Sequence, residues 1–208
     1  MILCDTEILE EIEKGTIVIQ PFDPKSMGTN SYDLHLGKTL ATYVDEVLDM
    51  KKHNKVTYFE IPEEGYVLTP GMFYLGVTME YTETHCHVPF LDGKSSSGRG
   101  SLTCHFTAGK GDVGFKNYWT LEISVAMPVR VYAGMPIAQI FYLTINHEKI
   151  RMTYDKKKSA KYNEVSPLPK ESMMWMNFIN DVENNIKDKA ENNNVENTVE
   201  DYSEIEMD

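Results

Sequence analysis

A chain of 208 residues with 41% hydrophobic content can bury one good core, which favours one domain over several. Its formal charge of -12 excludes a protein that coats phosphate backbones, because non-specific nucleic-acid binding needs a net basic surface. No run is apolar for long enough to span a bilayer, so no membrane role is expected.

The opening segment, MILCDTEILEEIEKG, is acidic and amphipathic, with no export signal. Asp5 is placed to cap a short helix with Ile8, Leu9 and Ile12 as its apolar stripe, and Gly15 stands where a helix stops. From Thr16 onward come short runs rich in Val, Ile, Tyr, Phe and Thr: TIVIQPF, NSYDLHLG, KTLATYV, KVTYFEI, MFYLGVTMEY, SLTCHFTAG, NYWTLEISVAMPVRVY and PIAQIFYLTI. Closely spaced strands without intervening helices predict a mainly β fold, a sandwich or barrel with Greek-key or jelly-roll connections. After Ile145 the chain turns basic, and MMWMNFINDVENNI places Trp175, Phe178, Ile179, Val182 and Ile186 in a helical stripe. The predicted organisation is a β domain over 1–172 that includes a C-terminal lid, a helix over 173–187 and a disordered Asn- and Glu-rich tail over 188–208.

The charge is uneven: ten acidic residues against Lys187 and Lys189 follow Ser172, a local -8, so the preceding 172 residues carry only -4. Cys4, Cys86 and Cys104 are an odd number without C-x-x-C spacing, which suits free thiols in the cytoplasm.

Within NYWTLEI, Trp119, Leu121 and Ile123 fall on one strand face while Tyr118, Thr120 and Glu122 fall on the other. A glutamate there fits a solvent-facing strand or the lining of a pocket. His85 and His87 would share a strand face, but two imidazoles without further ligands are weak evidence for zinc, and the H-x-E and P-C-x-x-C elements of zinc deaminases do not occur. No metal ligand is therefore assigned. GKSSSGRGS, with glycines, three hydroxyls and two cations, reads equally as a polar surface loop or as a phosphate cradle without P-loop spacing. TYDKKKSAKY adds a second basic cluster, and two such clusters in an acidic chain point to a small polyanionic ligand.

GKSS..GR, TAG..D.GF, TLEIS, P..VYAGMPIAQIF and, upstream, MILCDTEILEEIEKG with NSYDLHLG resemble the dCTP deaminases, in order from Met1 to about residue 170. The resemblance implies a dUTPase-like distorted jelly-roll, a homotrimer with shared active sites, and hydrolysis of dCTP to dUTP and ammonia without a metal in pyrimidine deoxynucleotide metabolism, towards thymidylate synthesis. Glu122 matches the proton-carrying glutamate, Arg99 the cation beside it and Ser95 the hydroxyl that helps hold the attacking water. Lys94, Ser95, Ser96 and Arg99 would reach in from a neighbouring subunit. Asp112 would face the sugar 3'-hydroxyl, Phe115 would lie against the deoxyribose and exclude a 2'-hydroxyl, and the backbone at Thr120 and Leu121 would read the base. Gln139, Tyr154 and Lys161 match triphosphate ligands, with Mg2+ carried on the nucleotide and no zinc.

The chain departs from the family pattern at three places. Ser97-Gly98 replaces Leu-Ala or Leu-Gly, Gly111-Asp112-Val113 replaces Ile-Asp-Pro, and Val165 stands where a glutamine usually follows the Lys-Tyr pair, with Glu164 beside it. A carboxylate facing a triphosphate would repel it, so the lid is expected to close differently. Two alternatives stay open: a bifunctional enzyme in which Asp112 activates a second water and dUMP and pyrophosphate are formed, and a non-catalytic nucleotide-binding regulatory trimer. A plain dUTPase is disfavoured because its glycine-rich C-terminal motif is absent. Feedback by dTTP is not decided by these residues.

Overall fold

The computed structural model describes residues 1–179. Its contacts divide the chain into two units, one made of Met1–Glu46 and Lys55–Glu171, the other of Val47–Asn54 and the residues from Ser172 on.

The first unit opens with helix α1 (Asp5–Glu13), which Cys4 rather than Asp5 caps. The Cys4 N–H donates to Glu7 Oε2 at 2.8 Å, closing a capping box, while the Asp5 carboxylate takes the Thr6 N–H. Gly15, at φ 72°, ends the helix in the left-handed region. Of the predicted stripe, Ile8 is fully buried and Ile12 packs on the core, but Leu9 is 39% exposed. The helix buries a narrower edge than its sequence suggests.

Eleven strands follow: β1 (Ile17–Gln20), β2 (Tyr32–His35), β3 (Thr39–Tyr43), β4 (Val56–Glu60), β5 (Tyr66–Leu68), β6 (Tyr74–Thr84), β7 (His87–Gly93), β8 (Leu102–Thr103), β9 (Lys116–Val125), β10 (Val129–Val131) and β11 (Pro136–Thr144). The architecture is mainly β with an N-terminal helix, as the sequence predicts. One sheet runs β4-β3-β6-β9-β8 with β1 also on β6, a second runs β2-β11-β7, and β10 pairs with β5. Alternation sets the faces: in β2, Tyr32 and Leu34 are fully buried while Asp33 and His35 are half-buried. Tyr32, Leu34, Leu40, Leu121, Ile123, Ile137 and Ile140 have no exposed surface and form the centre of the core. Each such side chain contributes about 1.5–3 kcal/mol through burial.

Three local expectations are corrected. His85 and His87 do not share a strand face, because β6 ends at Thr84 and β7 begins at His87, which leaves His85 and Cys86 in the connecting bend. His85 Nε2 meets Glu83 at 2.9 Å, whereas His87 is buried, which lowers its pKa, with Glu11 at 3.9 Å. SLTCHFTAG is strand only at Leu102–Thr103, and GKSSSGRGS contains a short helix, α2 (Ser95–Arg99).

In the second unit, Met174–Phe178 forms a 3-10 turn where the stripe predicts a helix. The His53 and Trp175 rings meet edge-on at 5.8 Å, and Lys51 Nζ lies 5.4 Å from the Phe178 ring centre. The expected helix beyond 179 and the tail over 188–208 lie outside the described residues.

Candidate active site

β9 is an interior strand, and its register explains the glutamate in its middle. Leu121 and Ile123 are fully buried, so Glu122 must project from the other face, with Tyr118 and Thr120. β6 holds one edge of β9, pairing Leu75 with Glu122 and Val77 with Thr120. On the other edge β8 reaches only Ser124 and Val125, after which the Glu122 N–H donates to the Cys104 carbonyl at 2.9 Å. The edge of β9 at Thr120 and Leu121 thus has no strand partner on that side among the described residues, as base reading by the backbone would require.

Glu122 is half-buried, and its Oε2 accepts the Phe106 N–H at 2.8 Å while Oε1 takes no bond among the described residues. The Cys104–Phe106 segment therefore holds this residue at both backbone and side chain. Burial, with the charges of Asp92 and Glu122 nearby, pushes the Cys104 thiol up to about 12. His105 Nε2 lies 3.3 Å from Asp92, and its buried Nδ1 has no partner.

The expected sugar and phosphate residues form a second group. Val113 carries the C-terminal segment on its backbone: the Tyr154 N–H donates to the Val113 carbonyl at 2.8 Å. Gly114, at φ 91°, leaves no space for a Cβ, which would stand 2.6 Å from Asp155 Oδ1 and 2.8 Å from Thr153 Cβ. Phe115 packs between the rings of Trp119, 4.6 Å away, and Tyr154, 5.8 Å away. The Tyr154 hydroxyl accepts the Tyr162 N–H at 3.1 Å, and burial raises its pKa, so the hydroxyl keeps its proton. Asp112 lies 3.3 Å from Lys110 Nζ and 3.7 Å from Lys157 Nζ, beside a cavity of about 140 Å³ that Tyr154 also lines. Lys161 is half-buried next to Tyr162 on the same segment.

A third group lies on the β2-β11-β7 sheet. Gln139 stands opposite Asp33 on one side and Asp92 on the other, and Lys94 forms a tight ion pair with Asp33. Ser95, Ser96 and Arg99 are exposed on α2, and none of them bonds to Glu122 within the chain. The structure thus gathers Asp112, Phe115 and Tyr154, places Thr120, Leu121 and Glu122 on one strand, and leaves the α2 group apart. A larger cleft of about 530 Å³, lined by Val77, Met79, Tyr118 and Leu168 among others, contains none of the predicted site residues.

Sequence reading missed Asp33, Asp92, Lys110, Asn117 and the Phe106 N–H, and it took in Lys157 only as part of the basic TYDKKKSAKY cluster. Lys110 and Asp112 are near neighbours in sequence and could have been paired by eye. The others meet their partners only through the fold. Among the described residues, no three His, Cys, Asp or Glu side chains group as metal ligands, and no helix is long and apolar enough to cross a membrane.

A sequence family described as dCTP deaminase-like matches residues 2–145. A Clostridium acetobutylicum protein named dCTP deaminase, dUMP-forming, is 47% identical over 180 residues, spanning 86% of this chain and 100% of the relative. One of the same name from Leptospira biflexa serovar Patoc is 53% identical over 148 residues, 71% of this chain and 84% of the relative. The crystal structure of 2'-deoxycytidine 5'-triphosphate deaminase from Agrobacterium tumefaciens superposes with a TM-score of 0.56 at 21% identity, over 69% of this chain and 48% of that one. That structural likeness concerns the fold. With the family match covering most of its length, the chain belongs to the dCTP deaminase-like family.

Proposed function

We propose that this protein converts dCTP, taken up as its magnesium complex, to dUMP in two hydrolytic steps. The observation that carries the proposal is the Glu122 carboxylate on a half-buried strand face, with Oε2 held by the Phe106 N–H and Oε1 uncommitted among the described residues. A base held in this way can take a proton from a water poised at C4 of cytosine. The new C–O bond forms as the ring electron pair moves to N3. The carboxyl passes that proton to N3, then takes the proton of the new C4 hydroxyl and delivers it to the amino group, which leaves as ammonia as the C4 carbonyl forms, and dUTP remains.

The second step goes beyond simple deamination and is favoured by relatives named dUMP-forming. A second water attacks the α-phosphorus, Asp112 takes its proton, and the bond to the bridging oxygen breaks to release pyrophosphate. Lys110 and Lys157 hold the Asp112 carboxylate from two sides, while Gln139, Tyr154 and Lys161 bind the phosphates. The Phe115 ring covers the deoxyribose at the 2' position.

The working unit is a homotrimer in the cytoplasm. A single chain offers about 140 Å³ beside Asp112, well below the roughly 300–1,000 Å³ usual for ligand sites, and the exposed Ser95, Ser96 and Arg99 are available to a neighbour. The three free cysteines suit a reducing compartment. Incubation with dCTP and magnesium should yield ammonia, dUMP and pyrophosphate. Ammonia with accumulating dUTP would remove the second step, and nucleotide binding without any product would leave a regulatory binder.

A further inference from the structure

We propose that Asn117 is a positioning residue for the nucleotide: it clasps the C-terminal strap, residues 153–170, shut against β9 before any ligand arrives. The inference rests on the reading of Tyr154 and Lys161 as phosphate ligands. Asn117 is 3% exposed and lies where a strand residue ordinarily packs against apolar neighbours. Its Oδ1 accepts the Tyr118 N–H at 2.9 Å and the Ser166 N–H at 3.0 Å, and its Nδ2 donates to the carbonyls of Tyr162 at 3.1 Å and Glu164 at 2.9 Å.

Two donors and two acceptor sites are the whole capacity of a carboxamide, and all are used. Aspartate has no donor, serine has too short a reach, and glutamine is longer by a methylene. Three of the four partners lie 45 to 49 residues ahead in the chain, so the contact ties the strap to the sheet. A second tie, from the Lys170 N–H to Thr120 Oγ1 at 3.0 Å, fixes the strap's far end beside Glu122.

Such a clasp answers a charge problem. The strap carries Lys156, Lys157, Lys158 and Lys161 close together in sequence; Lys157 faces Asp112 at 3.7 Å, and the remaining like charges disfavour closure without a polyanion. Closure before binding therefore needs a neutral attachment, and the Asn117 carboxamide provides one. The clasp also disposes of the expected repulsion by Glu164. Its backbone carbonyl is drawn inward to Asn117, while its carboxylate is 85% exposed and meets Lys170 Nζ at 3.2 Å.

A pre-closed strap raises apparent affinity in proportion to the closed fraction. Asn117→Asp keeps the two acceptor contacts but sets an oxygen against the carbonyls of Tyr162 and Glu164. Ser166→Pro removes a donor from the strap side and leaves the β9 core untouched. In both variants, amides of the strap should exchange hydrogen faster in the free protein while those of β6 and β9 keep their protection. The KM for dCTP should rise about 10-fold or more, with kcat within about 3-fold of wild type. Unchanged strap exchange in both variants, or a loosened strap with unchanged KM, would overturn the clasp. Ammonia release by the unaltered protein tests the deaminase reading separately, since the exchange measurement needs no activity.

Discussion

Glu122→Gln separates the chemistry of the site from its architecture. The substitution is nearly isosteric, and the amide oxygen can keep the Phe106 N–H that Oε2 now accepts at 2.8 Å. The loss to folding is the difference between a hydrogen bond to a charged acceptor, about 1.5–3 kcal/mol, and a neutral one, about 0.5–1.5, hence about 1 kcal/mol. In a chain of this size that lowers Tm by about 2–4 °C. The loss to catalysis is much larger. A positioned general base contributes about 10²- to 10⁴-fold, and this carboxylate moves protons both at water addition and at ammonia departure, so the upper end is expected. Ammonia release at saturating dCTP should fall about 10⁴-fold, while dCTP binding by calorimetry stays within about 3-fold. A variant that kept a tenth of the rate, or one whose Tm collapsed, would show that the carboxylate is not the proton carrier or that its role is structural.

Three further outcomes follow from the geometry. Gly114→Ala forces a Cβ into the left-handed region against Asp155 and Thr153, so it should cost about 2 kcal/mol in chemical denaturation and raise the KM for dCTP; unchanged values would mean that the strap is not seated on Gly114. Cys104, 2% exposed with its thiol raised to about 12, should resist iodoacetamide at neutral pH while the exposed Cys4 reacts, as mass spectrometry of the native protein will reveal; rapid labelling of Cys104 would contradict its burial. Mixed trimers of Arg99→Ala and Glu122→Gln subunits should regain deaminase activity if α2 serves a neighbour's site. Absence of complementation in verified mixed trimers would assign α2 to its own chain.

The sequence is most legible where period and burial coincide. β2 and the second half of β9 alternate buried and less buried residues because one face meets the core, and Glu122 stands out for that reason. β7 is less legible: HVPFLDG carries Pro89 in mid-strand, which reads as a break, yet β7 is an edge of its sheet and tolerates a residue without an N–H. The pairing of β6 with β9 slips between Val77 and Tyr81, where Thr78 and Glu80 turn inward, and nothing in the local alternation marks this. Buried Glu80 is held instead by the His35 N–H at 2.9 Å and the His35 ring at 2.6 Å. The candidate site residues are legible through several motifs at compatible spacings. The side chains and backbone groups that hold them, Asp33 under Lys94, Phe106 on Glu122 and Asn117 under the strap, are matters of tertiary contact and have no signature in composition or period.

The most direct measurement follows dCTP and the unaltered protein in water enriched in heavy oxygen, with ammonia, pyrophosphate and the labelled nucleotide determined together. The account predicts ammonia and pyrophosphate in equal amounts, and dUMP with one heavy oxygen at C4 and one on its phosphate. Pyrophosphate without ammonia, or a nucleotide whose C4 carries no label, would contradict it.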